Sequence, residues 1–183
     1  MSKVYVFLAD GFEEIEGLTV VDILRRAGID ISMISINGKK KVTGAHGIAL
    51  DTDEDIVQCD PDKLDMLVLP GGMPGTTNLA ACEKLTEALK KADQEKRGIA
   101  AICAAPSVLG DLGFLKGKKA VCYPGFESRL TGAEVLAVPV VTDGHITTSR
   151  GMGTAIAFAL ELTKRLKDEE TVKQVGRSIL YNV

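Results

Sequence analysis

Short apolar runs that end in turn residues, with amphipathic segments between them, constrain the fold of this chain most strongly. Buried parallel strands consist of such continuous runs, and the segments between them form crossover helices. The predicted strands are 4–9, 30–36, 64–70, 99–103, 118–123, 137–143 and 145–149, and the predicted helices are 13–28, 76–97, a segment starting at Pro106, 153–167 and about 168–178. This order predicts an α/β fold, a doubly wound layer sandwich with a mainly parallel sheet.

Two segments carry finer predictions. The helix at 13–28 has an apolar face that we expect to pack on the sheet, and Gly28 marks its end. The residues of that face are Ile15, Leu18, Val21 and Leu24. Residues 37–53 have turn residues around two short β-prone pieces, which predicts a small antiparallel hairpin.

Composition narrows the class of protein. A chain of 183 residues with a net charge of -3 predicts a single domain over 1–183 and argues against nucleic-acid binding. The N-terminus resembles a first core strand rather than a signal peptide, and no segment is apolar for long enough to span a membrane, so we expect a cytoplasmic protein. Four widely spaced cysteines and two histidines predict free thiols and no metal site.

Cys103 ends a buried run at a predicted strand-to-helix turn, in the segment AICAAP. Ligand sites of doubly wound sheets lie outside the carboxyl ends of the strands. A thiol at a helix N-terminus can have its pKa lowered from about 8.5 to roughly 3.5–7.5, which makes it a nucleophile. Cysteine is also a common small apolar filler, and the neighbouring alanines fit that reading equally well. Position alone leaves both interpretations open.

The segment LPGGMPG follows another buried strand. Its glycines, Gly71 and Gly72, would let backbone N–H groups face a nearby nucleophile and stabilise an oxyanion. A glycine turn required only by backbone geometry is the simpler interpretation of this motif taken alone.

Three acidic residues follow the first strand. For Glu13 and Glu14, compensation of the helix dipole is a sufficient explanation. Glu16 differs if its turn faces Cys103, because a carboxyl group of raised pKa would donate a hydrogen bond to the sulfur. Arg150, a cation at a helix entry, is expected to pair with an acid, Glu13 or Glu14.

Other polar residues and thiols carry weaker signals. His46 lies in a polar turn, and His145 begins what looks like an edge strand; neither alone indicates a site. Cys59, Cys82 and Cys122 have no partner pattern and are interpreted as structural thiols.

Taken together, five motifs resemble the ThiJ/PfpI superfamily and, within it, the DJ-one branch. They are EEIE after the first strand, RRAGI at 25–29, VLPGG at 68–72, AAICAAP at 100–106 and TSRGMGT at 148–154. The resemblance implies a flavodoxin-like three-layer sandwich, a homodimer and a reactive cysteine, here Cys103. It also implies a protonated partner, Glu16, and a pocket lined by Gly71, Gly72 and the Ala104 amide.

Three positions depart from patterns found in this superfamily. Ala104 stands where the protease-like branch has a histidine after the cysteine, which disfavours a peptidase. Tyr123 occupies the place of another histidine near the cysteine, and His46 replaces an arginine of the hairpin. Tyr123 can hydrogen-bond a substrate oxygen but is a poor proton shuttle at neutral pH, since its reference pKa is about 10.

The resemblance implies a glyoxalase or deglycase that acts without a cofactor on methylglyoxal, glyoxal or their early adducts with proteins. The alternative is a redox-responsive stress protein or chaperone in which Cys103 is oxidised to a sulfinate. A third reading is a binding module with a structural cysteine, whose thiol would titrate near its ordinary pKa of about 8.5.

Overall fold

The structure, a computed structural model, describes residues 2–181, without the side chain of Asp62. The apolar runs form the strands of a central sheet, and the amphipathic segments form helices on its two faces. The strands are β1 (Lys3–Leu8), β2 (Asp30–Ser35), β3 (Lys41–Thr43), β4 (Ala49–Asp51), β5 (Glu54–Asp55), β6 (Met66–Leu69), β7 (Gly98–Ile102), β8 (Lys119–Ala120), β9 (Glu134–Val135), β10 (Val140–Asp143) and β11 (Ile146–Ser149). The helices are α1 (Glu14–Arg26), α2 (Gly75–Ala81), α3 (Glu83–Gln94), α4 (Pro106–Asp111), α5 (Ala155–Leu166) and α6 (Glu169–Ser178).

Seven strands form the main sheet in the order β10-β11-β7-β6-β1-β2-β5. All neighbouring pairs are parallel except β10 with β11. The predicted hairpin is present as β3 and β4, which pair antiparallel outside the main sheet. From β1 the chain adds β2 on one side and later β6 on the other, so the strand order switches direction between β1 and β6.

Side chains of β1 alternate between two apolar cores, one on each face of the sheet. Val4, Val6 and Leu8 pack in the core that includes residues of α1, α5 and α6. Tyr5 and Phe7 pack in the core that includes residues of α2, α3 and α4. The molecule is therefore a three-layer α/β sandwich, as the sequence predicts.

The apolar face predicted for helix α1 is buried only in the second half of the helix. Ile15 is 51% exposed and Leu18 is only partly buried. The buried apolar residues of α1 are Val20, Val21, Ile23 and Leu24, which pack in the core shared with α5 and α6. The predicted face is therefore confirmed at Val21 and Leu24 and wrong at Ile15 and Leu18, because the first turn buries Glu14 and Glu16 instead.

Three further expectations are corrected. The helix predicted at 76–97 is two helices, because Cys82 has extended backbone angles (φ −81°, ψ 102°) between α2 and α3. The segment 118–123 gives only the short strand β8, which pairs with β9 outside the main sheet. The strand after His145 is not an edge strand, since β11 lies between β10 and β7.

No helix within residues 2–181 combines the length and the apolar character needed to cross a bilayer.

Candidate active site

Three turns meet at the carboxyl edge of the sheet. β1, β6 and β7 are parallel neighbours, so the start of α1, the Gly71–Gly72 turn and Cys103 follow strands that end side by side. The first two of these turns flank the point where the strand order reverses, the usual place for a ligand site in this architecture. Residues that are distant in sequence, Glu16, Gly71 and Cys103, are thereby brought into contact.

Cys103 has a backbone conformation that L-residues rarely adopt, with φ of 66°. Its N–H donates to the carbonyl oxygen of Ser149 at 3.0 Å, and its own carbonyl accepts the N–H of Tyr123 at 2.8 Å. These two bonds hold the turn between β7 and α4 in the left-handed region. Such strain costs on the order of 1–3 kcal/mol, and it persists where neighbouring structure fixes the residue, often at functional sites.

Glu16 lies in the first turn of α1 and is 0% exposed. Its Oε2 accepts the Gly71 N–H at 2.8 Å, while Oε1 has no hydrogen-bond partner among the described residues. Burial raises the pKa of this carboxyl to about 7, against the opposing effect of hydrogen bonds from Cys103 and Gly71. A carboxyl group that titrates near neutrality is suited to take and return a proton.

The Cys103 sulfur faces Glu16 and the backbone N–H groups of Ala104 and Gly72. Burial and the negative charge of Glu16 raise the pKa of the thiol to about 12, although both N–H groups oppose this. The sequence analysis predicts a lowered pKa for this thiol, which is the opposite shift. The prediction relied on a helix dipole, but α4 has only six residues, and a buried carboxylate faces the sulfur. Cys103 and Glu16 together therefore hold one proton between pH of about 7 and about 12.

Gly71 and Gly72 have different roles in this turn. The Gly71 N–H donates to Glu16, so it is not free to bind an oxyanion. A Cβ on Gly71 would lie 2.6 Å from Cys103 Cβ and 2.8 Å from Glu16 Oε2, which explains why glycine is required there. Gly72 has φ of +90° and turns its N–H toward the sulfur.

Tyr123 and Arg150 line an open cavity of about 440 Å³ beside this pair. The half-exposed Tyr123 ring packs against Gly151, where an added Cβ would lie 3.1 Å from Tyr123 Cδ2 and 4.0 Å from Glu16 Oε1. Arg150 was expected to pair with Glu13 or Glu14. Within residues 2–181 it forms no ion pair with either, because both acids contact the 44–48 turn instead.

Glu14 was expected to act only on the helix dipole, yet it is 5% exposed and binds His46. Its Oε1 accepts the His46 backbone N–H at 2.8 Å, and Oε2 lies 2.9 Å from His46 Nδ1. Burial alone would raise the pKa of Glu14, but the hydrogen bonds from His46 outweigh it and lower that pKa. The adjacent acids Glu13 and Glu14 were the only sequence signal for this contact, because the packing of the hairpin on α1 joins residues that are far apart in the sequence.

The remaining histidine and cysteines lie outside these turns. His145 is buried, and its Nε2 lies 2.7 Å from Asp93 Oδ1. Cys59 and Cys122 are buried, Cys82 is partly buried, and all four cysteines are free thiols.

Comparisons with known proteins agree with this geometry. The DJ-1/PfpI family model matches residues 2–165. Drosophila melanogaster dj-1beta is 37% identical over 187 residues, which cover 100% of each chain. A deglycase of Pyrococcus abyssi is 32% identical over 167 residues, covering 90% of this chain and 99% of its own.

Some relatives are longer. Arabidopsis thaliana DJ-1 homologs B and A are each 38% identical and match 95% and 97% of this chain, which spans only 40% and 46% of their lengths. Among solved structures, oxidised Toxoplasma gondii DJ-1 superposes with a TM-score of 0.96 at 35% identity, covering 100% of both chains. Because the family model matches most of the chain and dj-1beta matches it over its full length, this chain belongs to the DJ-1/PfpI family.

Proposed function

We propose that this protein is a cysteine-dependent enzyme of glyoxalase or deglycase type that needs no cofactor. The observation that carries the proposal is the buried Cys103–Glu16 pair, in which a strained cysteine faces a carboxyl group whose pKa is about 7. A nucleophile with an adjacent proton acceptor is the arrangement that covalent catalysis requires. The family member from Pyrococcus abyssi is named a deglycase.

The first step joins the sulfur to the aldehyde carbon. Above a pH of about 7 the single proton of the pair rests on sulfur, and the Glu16 carboxylate takes it as the Cys103 sulfur attacks, so the nucleophile has thiolate character at that moment. The aldehyde oxygen becomes an alkoxide, which the N–H groups of Gly72 and Ala104 stabilise as an oxyanion. Glu16 then gives its proton to this oxygen, which yields a neutral hemithioacetal and a carboxylate.

The second step moves a proton between carbons. The Glu16 carboxylate removes the hydrogen from the carbon bonded to sulfur, and the electron pair moves onto the neighbouring carbonyl to give an enediolate. The hydroxyl proton passes from the first oxygen to the second. Glu16 returns the proton to the neighbouring carbon, which leaves a thioester of a 2-hydroxy acid. Water hydrolyses the thioester, releases the hydroxy acid and restores the Cys103–Glu16 pair with its proton.

The substrate class is small carbonyl compounds, methylglyoxal or glyoxal, or their early adducts on proteins. The cavity beside Tyr123 and Arg150 is open to solvent, which suits an adduct that remains attached to a protein. In this proposal the Tyr123 hydroxyl donates a hydrogen bond to the second carbonyl oxygen of the substrate.

The test is conversion of methylglyoxal to lactate by purified, metal-free protein, with Cys103→Ala as the comparison. We expect turnover in the wild type and none above the uncatalysed rate in Cys103→Ala. Equal rates in the two proteins would exclude the proposal. Release of free amine from a glyoxal-treated peptide, followed in the same samples, separates deglycase from glyoxalase activity.

A redox role is the second candidate, because Cys103 is partly exposed and its sulfur already has two N–H groups that would bind the oxygens of a sulfinate. Mass spectrometry after mild peroxide treatment tests it. Selective addition of two oxygens at Cys103, in a protein without measurable turnover, would favour the redox role over catalysis.

We also propose a homodimer and a cytoplasmic location. Exposed Ile15 and a groove of about 350 Å³ lined by Leu18, Ile23, Ile156 and Ile179 give α1 an uncovered apolar side that a second copy of the chain would bury. Four free thiols fit a reducing compartment. Light scattering should give twice the chain mass for the wild type and the single-chain mass for Leu18→Arg.

A further inference from the structure

Arg150 is a cation that the chain leaves without a counter-ion. It lies between β11 and α5, and the positive end of a helix is an unfavourable place for a cation. The residue is only partly exposed, and within residues 2–181 its guanidinium forms no ion pair and no hydrogen bond. An unpaired arginine at this position does not stabilise the fold, so its charge is available to a ligand.

The groups near Arg150 do not neutralise it. Arg150 acts electrostatically on Cys122, but burial raises the pKa of that thiol to about 11, so the thiol is uncharged at neutral pH. Glu127 also acts on Cys122, yet its carboxylate accepts the Gly125 N–H at 2.7 Å and forms no ion pair with Arg150 in the described part of the chain. The positive charge is therefore open to an anion that comes from outside the chain.

Arg150 is held next to the Cys103–Glu16 pair by its two neighbours in the chain. The carbonyl oxygen of Ser149 accepts the Cys103 N–H at 3.0 Å. Gly151 lies over Glu16, because a Cβ added there would be 4.0 Å from Glu16 Oε1. Arg150 and Gly151 both line the open cavity of about 440 Å³, so a molecule that reaches the sulfur through this cavity meets the guanidinium.

The second, independent observation is Oε1 of Glu16. Glu16 is 0% exposed, and this oxygen has no hydrogen-bond partner among the described residues. A buried acceptor without a donor is unfavourable, and a hydroxyl group of a ligand would satisfy it. The hydroxyl of a hemithioacetal on Cys103 is such a donor. The cavity thus offers an acceptor to the reacting end of a substrate and a cation to a charged end.

We propose that Arg150 is a specificity-determining residue that selects α-oxo aldehydes carrying a carboxylate or phosphate group over uncharged ones. The inference rests on the proposed function of the same site. A guanidinium donates two parallel hydrogen bonds to either kind of oxyanion. It also offsets the negative charge that the Cys103–Glu16 pair carries above a pH of about 7, which would otherwise repel an anionic substrate.

The chemistry is that of the steps proposed above. With γ,δ-dioxovalerate, the sulfur adds to the aldehyde carbon, the proton moves to the neighbouring carbon, and one water hydrolyses the thioester to give α-hydroxyglutarate. Hydroxypyruvaldehyde phosphate would give the corresponding phosphorylated α-hydroxy acid. The charged group that binds Arg150 is unchanged in both reactions.

The first experiment compares substrates that differ only in charge. γ,δ-Dioxovalerate and propylglyoxal test the carboxylate, and hydroxypyruvaldehyde phosphate and hydroxypyruvaldehyde test the phosphate. We expect wild-type kcat/KM to favour the charged member of at least one pair. Arg150→Met should lower that charged-to-uncharged ratio by about tenfold or more, the size of one hydrogen bond to a charged group, and Arg150→Lys should keep part of it. A ratio near one in the wild type, or equal ratios in wild type and Arg150→Met, would overturn the proposal.

Another arginine supplies the matched control. Arg25 lies at the end of α1 and pairs with Asp53 at 3.0 Å. Arg25→Met removes the same charge from the chain, so it should keep the wild-type ratio. Circular dichroism checks that each variant is folded. A fall in the ratio as large as that of Arg150→Met would assign the preference to the overall charge of the protein and contradict the proposal.

Protection of Cys103 from iodoacetamide tests the same contact without turnover. Levulinate has the keto group and carboxylate of γ,δ-dioxovalerate but no aldehyde, and methyl propyl ketone is its uncharged counterpart. We expect levulinate to slow labelling of wild-type Cys103 more than the ketone does, and Arg150→Met to remove this difference. Selective protection without turnover of any aldehyde would support the anion site and exclude the proposed function.

Two results of the labelling experiment would overturn the proposal. One is equal protection by levulinate and by the ketone in the wild type. The other is protection by levulinate that Arg150→Met leaves unchanged. If Arg150→Met instead converted a dimer to single chains in light scattering and left the charge preference intact, Arg150 would belong to a contact between subunits, which also contradicts the proposal.

Discussion

Glu14 and Glu16 lie two residues apart on the same helix and are almost equally buried, yet their surroundings shift their pKa values in opposite directions. Glu14 accepts hydrogen bonds from the backbone and ring of His46, so its carboxylate is stabilised and its pKa is lowered. Glu16 accepts one backbone N–H through Oε2 and none through Oε1 within the described chain, so burial dominates and its pKa rises.

Burial alone therefore does not decide whether a carboxyl group stays ionised or exchanges a proton. The depth of the carboxyl group below the surface and the donors that reach it decide it together. Glu14 is an anion that binds the hairpin turn to α1 through hydrogen bonds, whereas Glu16 can exchange a proton with Cys103.

Replacing the two acids in turn should separate their roles most strongly. Glu16→Gln removes the proton acceptor, and we expect kcat/KM for methylglyoxal to fall by about 10²–10⁴, the usual contribution of general acid–base catalysis. Glu14→Gln should cost at least about tenfold less, since Glu14 does not contact the sulfur. Similar losses in the two variants would show that the helix start as a whole, and not Glu16, supports the reaction.

Gly71→Ala should disturb Glu16 without changing its chemistry. The new Cβ would meet Cys103 Cβ at 2.6 Å and Glu16 Oε2 at 2.8 Å, so the pair must separate. A displacement on the order of 1 Å costs about 10²-fold in rate. If Gly71 acts through Glu16, the double variant Gly71→Ala/Glu16→Gln should be little slower than Glu16→Gln alone. Additive losses would assign Gly71 a separate role.

The raised pKa of Glu16 also predicts how stability depends on pH. The folded protein holds the Glu16 proton up to a pH of about 7, whereas the unfolded chain releases it near the ordinary glutamate pKa of 4.5. Stability from this group is therefore complete below about pH 4.5 and lost as pH rises to about 7. Over this range the unfolding free energy of wild type should fall relative to Glu16→Gln by about 3 kcal/mol.

Urea unfolding of both proteins at several pH values measures this difference. Since every other titrating group is shared, the difference between the two proteins isolates Glu16. A difference that does not change between pH 4.5 and 7 would mean that Glu16 titrates normally in the folded protein.

Glu14→Ala should have the smallest effect and the opposite pH dependence. It removes the acceptor for the His46 backbone N–H and ring, which should lower the unfolding free energy by about 1–2 kcal/mol at pH 7. Because the pKa of Glu14 is lowered on folding, its contribution is complete above the ordinary glutamate pKa of 4.5 and is lost as pH falls through the lowered pKa. Urea unfolding at pH 7 and pH 3 checks both statements, and an equal effect at the two pH values would contradict them.

Much of the fold follows from local pattern. The apolar runs identify five of the six parallel strands of the main sheet. The sixth, β5, has only two residues and is too short to leave a signal. The site residues Cys103, Glu16 and Gly71 follow from the same runs, because parallel strands end at a common edge. The break at Cys82 was missed, since the amphipathic pattern continues through a single extended residue.

Contacts between distant segments were not predictable in this way. The burial of Glu14 against His46 depends on how the hairpin docks on α1, and the raised thiol pKa depends on the distance between Cys103 and a carboxylate 87 residues earlier in the chain. Neither the docking of the hairpin nor the distance between the thiol and the carboxylate can be predicted from residue type and spacing. The resemblance to a family supplied the pairing of Cys103 with Glu16, while the structure supplied its electrostatics.

The pH dependence of Cys103 alkylation tests the shared proton most directly. Iodoacetamide labelling, followed by mass spectrometry of the peptide that contains Cys103, gives a rate at each pH. We expect the wild-type rate to rise with a midpoint near pH 7, where Glu16 becomes a carboxylate that can take the thiol proton during the reaction. The Glu16→Gln rate should rise only above about pH 8.5, because burial raises the pKa of its thiol and no carboxylate is present to take the proton. The same midpoint in both proteins, or a wild-type midpoint above about 8.5, would contradict the proposal that Glu16 takes the proton of Cys103.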